Sequence, residues 1–314
     1  MPLQLKESDL PSLTSKTALV TGGTSGIGLQ TAILLASQGA TVHIASRTAA
    51  AGEATVAGLR AQYPSHTYHY HLLDLSNVAS AAASAAHFAR DNARLDILVA
   101  NAGVSCVPVD VLSPDGLDMA FAVNHVGHFV FISGLLPLLR RTAAAAENGD
   151  GDVRVVITAS NAYKFVDRVD LSDVERRVPG DGDSPRHLPA AMRRYGRSKR
   201  ANILFAMELD RRLRAPDGPG GSCTGVRVNV CHPGTIGATR LGDGVLASPS
   251  LTILYPFWFI IMPPANEWMG VLLERLWHDG LGVGAHSQTR HHRRYYPARG
   301  CDDTDVAGCC REDP

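Results

Sequence analysis

A phenol and an amine stand four residues apart in Tyr195-Gly196-Arg197-Ser198-Lys199-Arg200-Ala201-Asn202-Ile203-Leu204, a stretch of helix-compatible residues. On a helix, positions i and i+4 share a face, so the Lys199 ammonium can lie beside the Tyr195 hydroxyl. A free tyrosine titrates near pH ~10 and is a poor acid-base catalyst at neutral pH, whereas a neighbouring cation favours the phenolate. The chemistry open to such a pair is proton exchange with a substrate oxygen. Taken alone, this spacing is common on helical surfaces and carries no function.

Binding chemistry is suggested by Thr21-Gly22-Gly23-Thr24-Ser25-Gly26-Ile27-Gly28. Glycines at 22, 26 and 28 permit a tight turn and let the backbone approach a pyrophosphate, whose charge the N-terminus of a following helix stabilises. The whole turn, with Thr24, Ser25 and Ile27 among the glycines, is a candidate phosphate cradle; a glycine-rich turn without a ligand is the bland alternative. Discrimination between dinucleotides comes from the end of the next strand, where a carboxylate would hold a ribose 2′-hydroxyl and an arginine would accommodate a 2′-phosphate. Ala45-Ser46-Arg47 offers no carboxylate and one guanidinium, a planar fork suited to phosphate, with the Ser46 hydroxyl next to it. The residues therefore predict NADP(H) over NAD(H), unless Arg47 is merely a solvated charge.

Such residues work only if one scaffold gathers them. Short β-branched runs alternate with longer helix-compatible stretches over the first 235 or so residues, the pattern of βαβ units in a parallel sheet. Strands are expected at Thr17–Thr21, Thr41–Ala45, Thr67–Leu73, Leu95–Ala100, Val153–Thr158 and Val226–Cys231. Helices are expected at Ile27–Gln38, Ala49–Gln62, Val78–Arg90, Pro114–Leu139 in one or two pieces, and Tyr195–Arg214. Right-handed crossovers stack this order into a single α/β domain, a doubly wound parallel sheet of Rossmann type with helices on both faces. The polar stretches Asp167–Arg194 and Ala215–Gly225 read as surface loops. A domain over residues 15–300 is expected between an extension, 1–14, and a tail, 301–314, without assigned structure.

Composition narrows the function classes. The chain of 314 residues is 45% hydrophobic and 19% charged, enough to bury a large core and unlike a disordered regulator. Thirty basic residues balance thirty acidic ones, so there is no electrostatic footprint for nucleic acid. Six cysteines (Cys106, Cys223, Cys231, Cys301, Cys309 and Cys310) are sparse and show no framework spacing, which fits a reducing, cytoplasmic setting without structural disulfides. Residues 1–15 lack the apolar core of a signal peptide. The longest apolar run, Leu251–Met262, contains Pro256 and falls short of the roughly 20 residues that span a bilayer, so no transmembrane segment is expected, and at most a peripheral membrane contact. His286, His291, His292, Cys301, Cys309 and Cys310 do not match a tetrahedral metal pattern, and no metal is expected.

Taken together, Thr21 to Gly28, Asp74-Leu75, Asn101-Ala102-Gly103, Asn124, Ser160, Tyr195 with Lys199, and Pro233-Gly234 resemble, in type and order, the short-chain dehydrogenase/reductases. The resemblance covers about Leu13 to Gly234. Within it, Val123-Asn124-His125-Val126-Gly127-His128-Phe129 and the long gap between Ser160 and Tyr195 look most like the retinol dehydrogenase and WW-domain oxidoreductase branch. The resemblance implies that Tyr195 is the general acid in reduction and the base in oxidation, and that Ser160 holds the substrate carbonyl oxygen. It further implies that Lys199 binds the nicotinamide ribose and lowers the Tyr195 pKa, and that Asn124 positions a water of the proton relay. Asn101, Ala102 and Gly103 would line the adenine-ribose side, Asp74 and Leu75 the adenine edge, and Ile236, after Pro233-Gly234, the nicotinamide amide. Hydride arriving at a carbonyl carbon leaves negative charge on oxygen, which needs a preorganised donor and then a proton. In isolation, Asp74 could instead cap a helix, Asn124 could be a buried polar kink and Ser160 an ordinary strand-end hydroxyl.

The region after Gly234 is expected to close over the substrate, because loops beyond the carboxyl edge of such sheets shape the pocket. Leu251, Ile253, Leu254, Tyr255, Phe257, Trp258, Phe259, Ile260 and Ile261 would favour a large apolar ketone, aldehyde or alcohol over a sugar, or simply pack a helical lid. The sequence departs from the family where a threonine usually follows Pro-Gly: position 238 is Ala and Thr239 comes one residue late. The expected function is an NADPH-dependent reductase of a lipophilic carbonyl, reversible as an alcohol dehydrogenase and suited to a tailoring step of secondary metabolism. Rival readings are NADP-linked oxidation of a retinoid- or steroid-like alcohol, and a dinucleotide sensor without turnover on the same fold. Many relatives pair subunits through the helices near 114–139 and 195–214, so the resemblance implies a homodimer.

Overall fold

The computed structural model describes residues 10–105, 107, 111–145, 152–171, 174, 188–214 and 225–233. Six parallel strands form one sheet: β1 (Thr17–Thr21), β2 (Thr41–Ser46), β3 (Thr67–Leu72), β4 (Ile97–Ala100), β5 (Val153–Thr158) and β6 (Val226–Cys231), in the spatial order β3-β2-β1-β4-β5-β6. This is the doubly wound order expected, with the direction of winding reversing between β1 and β4, where a crevice opens at the carboxyl ends of the strands.

Helices cover both faces because the central strands are apolar in consecutive positions. Ala18, Val20, Val42, Ile44 and Val99 pack on one side with Leu35 of α1 (Gly26–Ser37) and Val56 of α2 (Ala49–Gln62). Leu19, Leu98 and Val155 face the other way, against Phe88 of α3 (Val78–Asp91), Phe131, Leu135 and Leu139 of α5 (Gly127–Ala144), and Leu209 of α6 (Leu188–Arg214). Successive residues of a strand point to opposite faces, so a strand covered on both sides must be apolar throughout.

Most boundaries agree with the sequence expectation to within one residue, and three elements depart further. The strand expected from Leu95 begins at Ile97, because Asp96 is buried as an anchor: Oδ2 accepts the Thr17 N–H at 2.9 Å and the carboxylate pairs with Arg94 and Lys16. The helix expected from Tyr195 starts at Leu188, so Leu188–Arg194, read as part of a polar loop, is helical. The stretch Pro114–Leu139 resolves into a single turn, α4 (Met119–Phe121), a π turn (Ala122–Val126) and α5, which runs on to Ala144.

Met119–Ala144 is long and apolar enough to cross a membrane by composition, where no transmembrane segment is expected from the sequence. More than half of its apolar window is buried in the protein, and Phe131, Ile132, Leu135, Leu138 and Leu139 have no solvent exposure. Its hydropathy is that of a core helix packed on a sheet. The expected apolar cover over Leu251–Ile261, the tail, and site residues Gly234 and Ile236 lie outside the described residues.

Candidate active site

The crevice between β1 and β4 is built by backbone close approach. Gly22, directly after β1, has φ +68°, and a Cβ on it would lie 2.9 Å from Ala102 Cα. Gly26 also takes a positive φ, +55°, as the chain turns into α1. A Cβ on Gly28 would meet the Gly22 carbonyl and come within 2.6 Å of Asn101 Nδ2. Side chains at 22 and 28 would therefore wedge the β1–α1 turn away from the Asn101–Gly103 loop. Ser25 precedes α1 in extended conformation and makes no side-chain cap, and the first turn carries no acidic residue. The leading N–H groups of α1 are thus free of a protein side-chain acceptor, and their dipole suits an anion. These features fit a dinucleotide, whose pyrophosphate the Gly22–Gly28 turn with Thr24, Ser25 and Ile27 would hold.

Further along the carboxyl edge, Ser46 ends β2 with its Oγ buried and unpartnered, and Arg47 beside it is exposed. Asp74 folds back on its own loop, Oδ1 accepting from Ser76 N at 2.9 Å and Ser76 Oγ at 2.7 Å. It does not cap α3; Asn77 does, accepting from Ser80 N at 2.8 Å. Leu75 is buried, and its carbonyl touches the first residue of α5, where only a glycine, Gly127, leaves room.

Asn101, Ala102 and Gly103 are held by Thr21, at the end of β1. Its Oγ1 accepts both the Asn101 and Ala102 N–H groups at 2.9 Å, and its carbonyl accepts from Asn101 Nδ2 at 3.1 Å. One hydroxyl thereby fixes the loop on which a nucleotide would rest. A Cβ built on Gly103 would be 3.2 Å from Asn124 Oδ1 and 3.6 Å from Lys199 Nζ, so this loop passes directly by the candidate catalytic groups.

Asn124 sits in the π turn with no solvent exposure. Its Oδ1 accepts the Val104 N–H at 2.8 Å, while Nδ2 donates to Val104 O at 2.9 Å and to Ser198 Oγ at 3.0 Å. Ser198 in turn donates to the Tyr195 carbonyl at 2.7 Å. A buried amide with three of its bonds made ties the loop that runs through Asn101–Val104 to the helix bearing Tyr195 and Lys199. A π turn, which aims side chains differently from an α-helix, is what brings Asn124 to this place.

Tyr195 and Lys199 are both buried on α6. Lys199 Nζ donates to the Thr158 carbonyl at the end of β5, 3.0 Å away, and lies 5.6 Å from the centre of the Tyr195 ring. Burial pushes the Lys199 amine down to about 8, with Cys231 nearby opposing the shift. It is still mainly charged at neutral pH. Ser160 follows β5 in extended conformation, and its Oγ accepts from Ala162 N at 3.2 Å to start a short 3-10 turn, Asn161–Phe165. Gly196 packs against that turn so closely that a Cβ would collide with the Ala162 carbonyl. Glycine next to Tyr195 is thus what lets α6 approach the segment carrying Ser160.

The structure gathers the glycine turn, Asn101–Gly103, Asn124, Tyr195 and Lys199 around one crevice, with Ser160 at its β5 edge and Pro233 just beyond β6. It adds four residues to which sequence reasoning assigned no role: Thr21, His128, Gly196 and Ser198. All four lie inside motifs already singled out, but their roles are tertiary contacts that spacing does not encode.

The family described as short chain dehydrogenase matches residues 16–165. With relatives above 30% identity aligned over two thirds of their length, the chain belongs to the short-chain dehydrogenase/reductase family. Among them, short-chain dehydrogenase/reductase drtF of Aspergillus calidoustus is 35% identical over 227 residues, 72% of this chain and 68% of the relative. Retinol dehydrogenase 13 of Homo sapiens is 33% identical over 257 residues, 81% of this chain and 70% of the relative. Short chain dehydrogenase/reductase dpchH of Colletotrichum higginsianum reaches 39% over 244 residues, but this chain spans only 58% of its length. Of the solved structures, an RhlG/NADP active-site complex from Pseudomonas aeruginosa superposes with TM-score 0.59 at 28% identity, covering 84% of this chain and 90% of that one. The oxidoreductase yciK of E. coli, at 21% identity and TM-score 0.59 over 88% and 93% of the two chains, shares the fold.

Proposed function

We propose that this oxidoreductase is an NADPH-dependent reductase of a lipophilic ketone or aldehyde, reversible as an alcohol dehydrogenase. A buried, charged Lys199 beside Tyr195, on the helix that Asn124 ties to the Asn101–Gly103 loop, carries this reading. A nicotinamide dinucleotide, when bound, supplies or accepts the hydride. Tyr195 gives its hydroxyl proton to the substrate oxygen in reduction and takes it back in oxidation. The Ser160 hydroxyl donates a hydrogen bond to the same oxygen, where charge develops. Lys199 favours the phenolate electrostatically and is the residue that would hold the nicotinamide ribose. A water held at Asn124 returns the proton to Tyr195, with one Oδ1 lone pair left by the Val104 bond.

NADPH over NADH is supported by Arg47, exposed beside the unpartnered Ser46 hydroxyl, and by the NADP complex at 28% identity. The apolar segment Leu251–Ile261 supports a lipophilic substrate, and a tailoring step of secondary metabolism is the setting proposed for it. Retinol dehydrogenase 13 among the relatives favours a second reading, oxidation of a retinoid- or steroid-like alcohol. Exposed Phe129 on α5 with Leu204 and Met207 on α6 supports a homodimer. A cytoplasmic location completes the reading.

The test is a panel of hydrophobic ketones and aldehydes followed by NADPH absorbance. Turnover that Tyr195→Phe removes, while NADPH still binds, is the expected result. NADPH binding without turnover across the panel replaces the reductase with a dinucleotide sensor. Arg47→Asp should lower the preference for NADPH over NADH; a native preference for NADH overturns the cofactor assignment.

A further inference from the structure

His128, in the first turn of α5, is 2% exposed and bonded at both ring nitrogens. Nε2 lies 2.9 Å from Thr21 Oγ1, and Nδ1 lies 3.2 Å from the Asn124 carbonyl. The direction of each bond follows from what surrounds it. The Thr21 hydroxyl already accepts two N–H groups, from Asn101 and Ala102, which fill both lone pairs. Its own proton therefore points at His128, and Nε2 must be the bare, accepting nitrogen. At the other end a carbonyl can only accept, so Nδ1 must carry the proton. Two independent contacts select the same tautomer.

The ring thus closes a continuous chain of hydrogen bonds. It starts at the Asn101 and Ala102 N–H groups, passes through the Thr21 hydroxyl and the His128 imidazole to the Asn124 backbone, and continues through the Asn124 side chain to Ser198, the residue before Lys199. We infer that His128 is a positioning residue, which as the neutral Nδ1–H tautomer holds the Asn124 π turn in register with the nucleotide loop. Burial, and then the Lys199 charge, push its pKa down to about 3, so the ring keeps its bare nitrogen at neutral pH. Without it, Asn124 loses its tie to β1, and the gap between nucleotide loop and Lys199 is no longer set from that side. The inference rests on the reductase reading for its effect on rate, and on geometry alone for the tautomer.

The test separates the two. In protein labelled with 15N-histidine, long-range proton–nitrogen correlations report which ring nitrogen is protonated, and His128→Gln identifies the signal by its loss. A protonated Nδ1 with a bare Nε2 is expected; a protonated Nε2 overturns the inference whether or not any substrate is turned over. For the rate, His128→Phe keeps ring size but makes neither bond, and should lower kcat by about tenfold or more with the NADPH Kd within about twofold of the parent, because small misplacements weigh on chemistry more than on binding. In His128→Gln, Oε1 stands where Nε2 stood and still accepts from Thr21, so it should recover most of that loss. A wild-type kcat in His128→Phe, an NADPH affinity falling in step with kcat, or no recovery in the glutamine variant overturns the positioning role. If the parent protein turns over no carbonyl, the reductase reading fails while the tautomer still decides this one.

Discussion

Gly196→Ala isolates the close approach of α6 to the turn that follows Ser160. A Cβ at this position would overlap the Ala162 carbonyl by about 1 Å relative to an ordinary contact. A backbone oxygen cannot rotate aside as a flexible side chain would, so either α6 or the Asn161–Phe165 turn must give way. Overpacking of this kind costs about 1–3 kcal/mol in stability. Displacing Ser160 from Tyr195 by a comparable distance should lower kcat by about 100-fold. The proposed phosphate cradle is the β1–α1 turn, away from this contact, so the NADPH Kd should stay within about threefold. The control is Gly58→Ala on α2, where an added Cβ meets nothing within 4 Å; it should stabilise the protein by up to about 1 kcal/mol and leave activity alone. Thermal unfolding, NADPH titration and steady-state rates on the best substrate of the panel give all three quantities. Wild-type kcat with unchanged stability in Gly196→Ala would refute the close-packing reasoning, and equal losses in both variants would show that the effect is not local.

Two further outcomes concern pH. With the Lys199 amine lowered to about 8 by burial, the cation that favours the phenolate is present below that pH and lost above it, so kcat/KM should fall as pH rises through about 8; a profile flat from pH 7 to 9.5 counts against the role given to Lys199. Burial, reinforced by neighbouring histidines, lowers His43 and His71 to about 4, and burial with the Lys199 charge lowers His128 to about 3. Below the unfolded value of about 6.5 the unfolded chain binds more protons than the folded one, so stability drops as pH falls from about 6.5 towards 4, each histidine adding a slope approaching 1.4 kcal/mol per pH unit, an order-of-magnitude figure. Urea midpoints at pH 7 and 5 check this, and a midpoint that holds or rises at pH 5 contradicts it.

The parts of the molecule legible in the sequence are those whose signal is local. β1, β5 and β6 announce themselves as β-branched runs bounded by Gly, Pro and polar residues, and α2 by an alanine-rich stretch that outweighs its two glycines, Gly52 and Gly58. Tyr195 and Lys199 are legible because i and i+4 share a helix face in any setting. The early start of α6 was hidden by the charged, Pro- and Gly-rich stretch before it, where propensity favours a loop and packing decides otherwise. No pattern marks the π turn at Ala122–Val126, since one extra residue in a helix leaves no periodic trace. Thr21 and His128 meet across 107 positions, a pairing that only the assembled sheet creates. Asp74 is read from the sequence as lining the adenine edge, and its carboxylate turns back on Ser76 because that partner is two residues away.

The apolar character of α5 bears on how the chain is made. Val155 and Ile157 of β5, Leu209 and Leu213 of α6, and Val226 and Val228 of β6 share its hydrophobic cluster, and all of them are synthesised after it. While the ribosome is still extending the chain, this greasy segment has α3 and β4 beside it, with β5, α6 and β6 yet to emerge. Nascent-chain binders would meet it in that interval, so slower translation between Ala144 and Val226 is expected to prolong its exposure to aggregation.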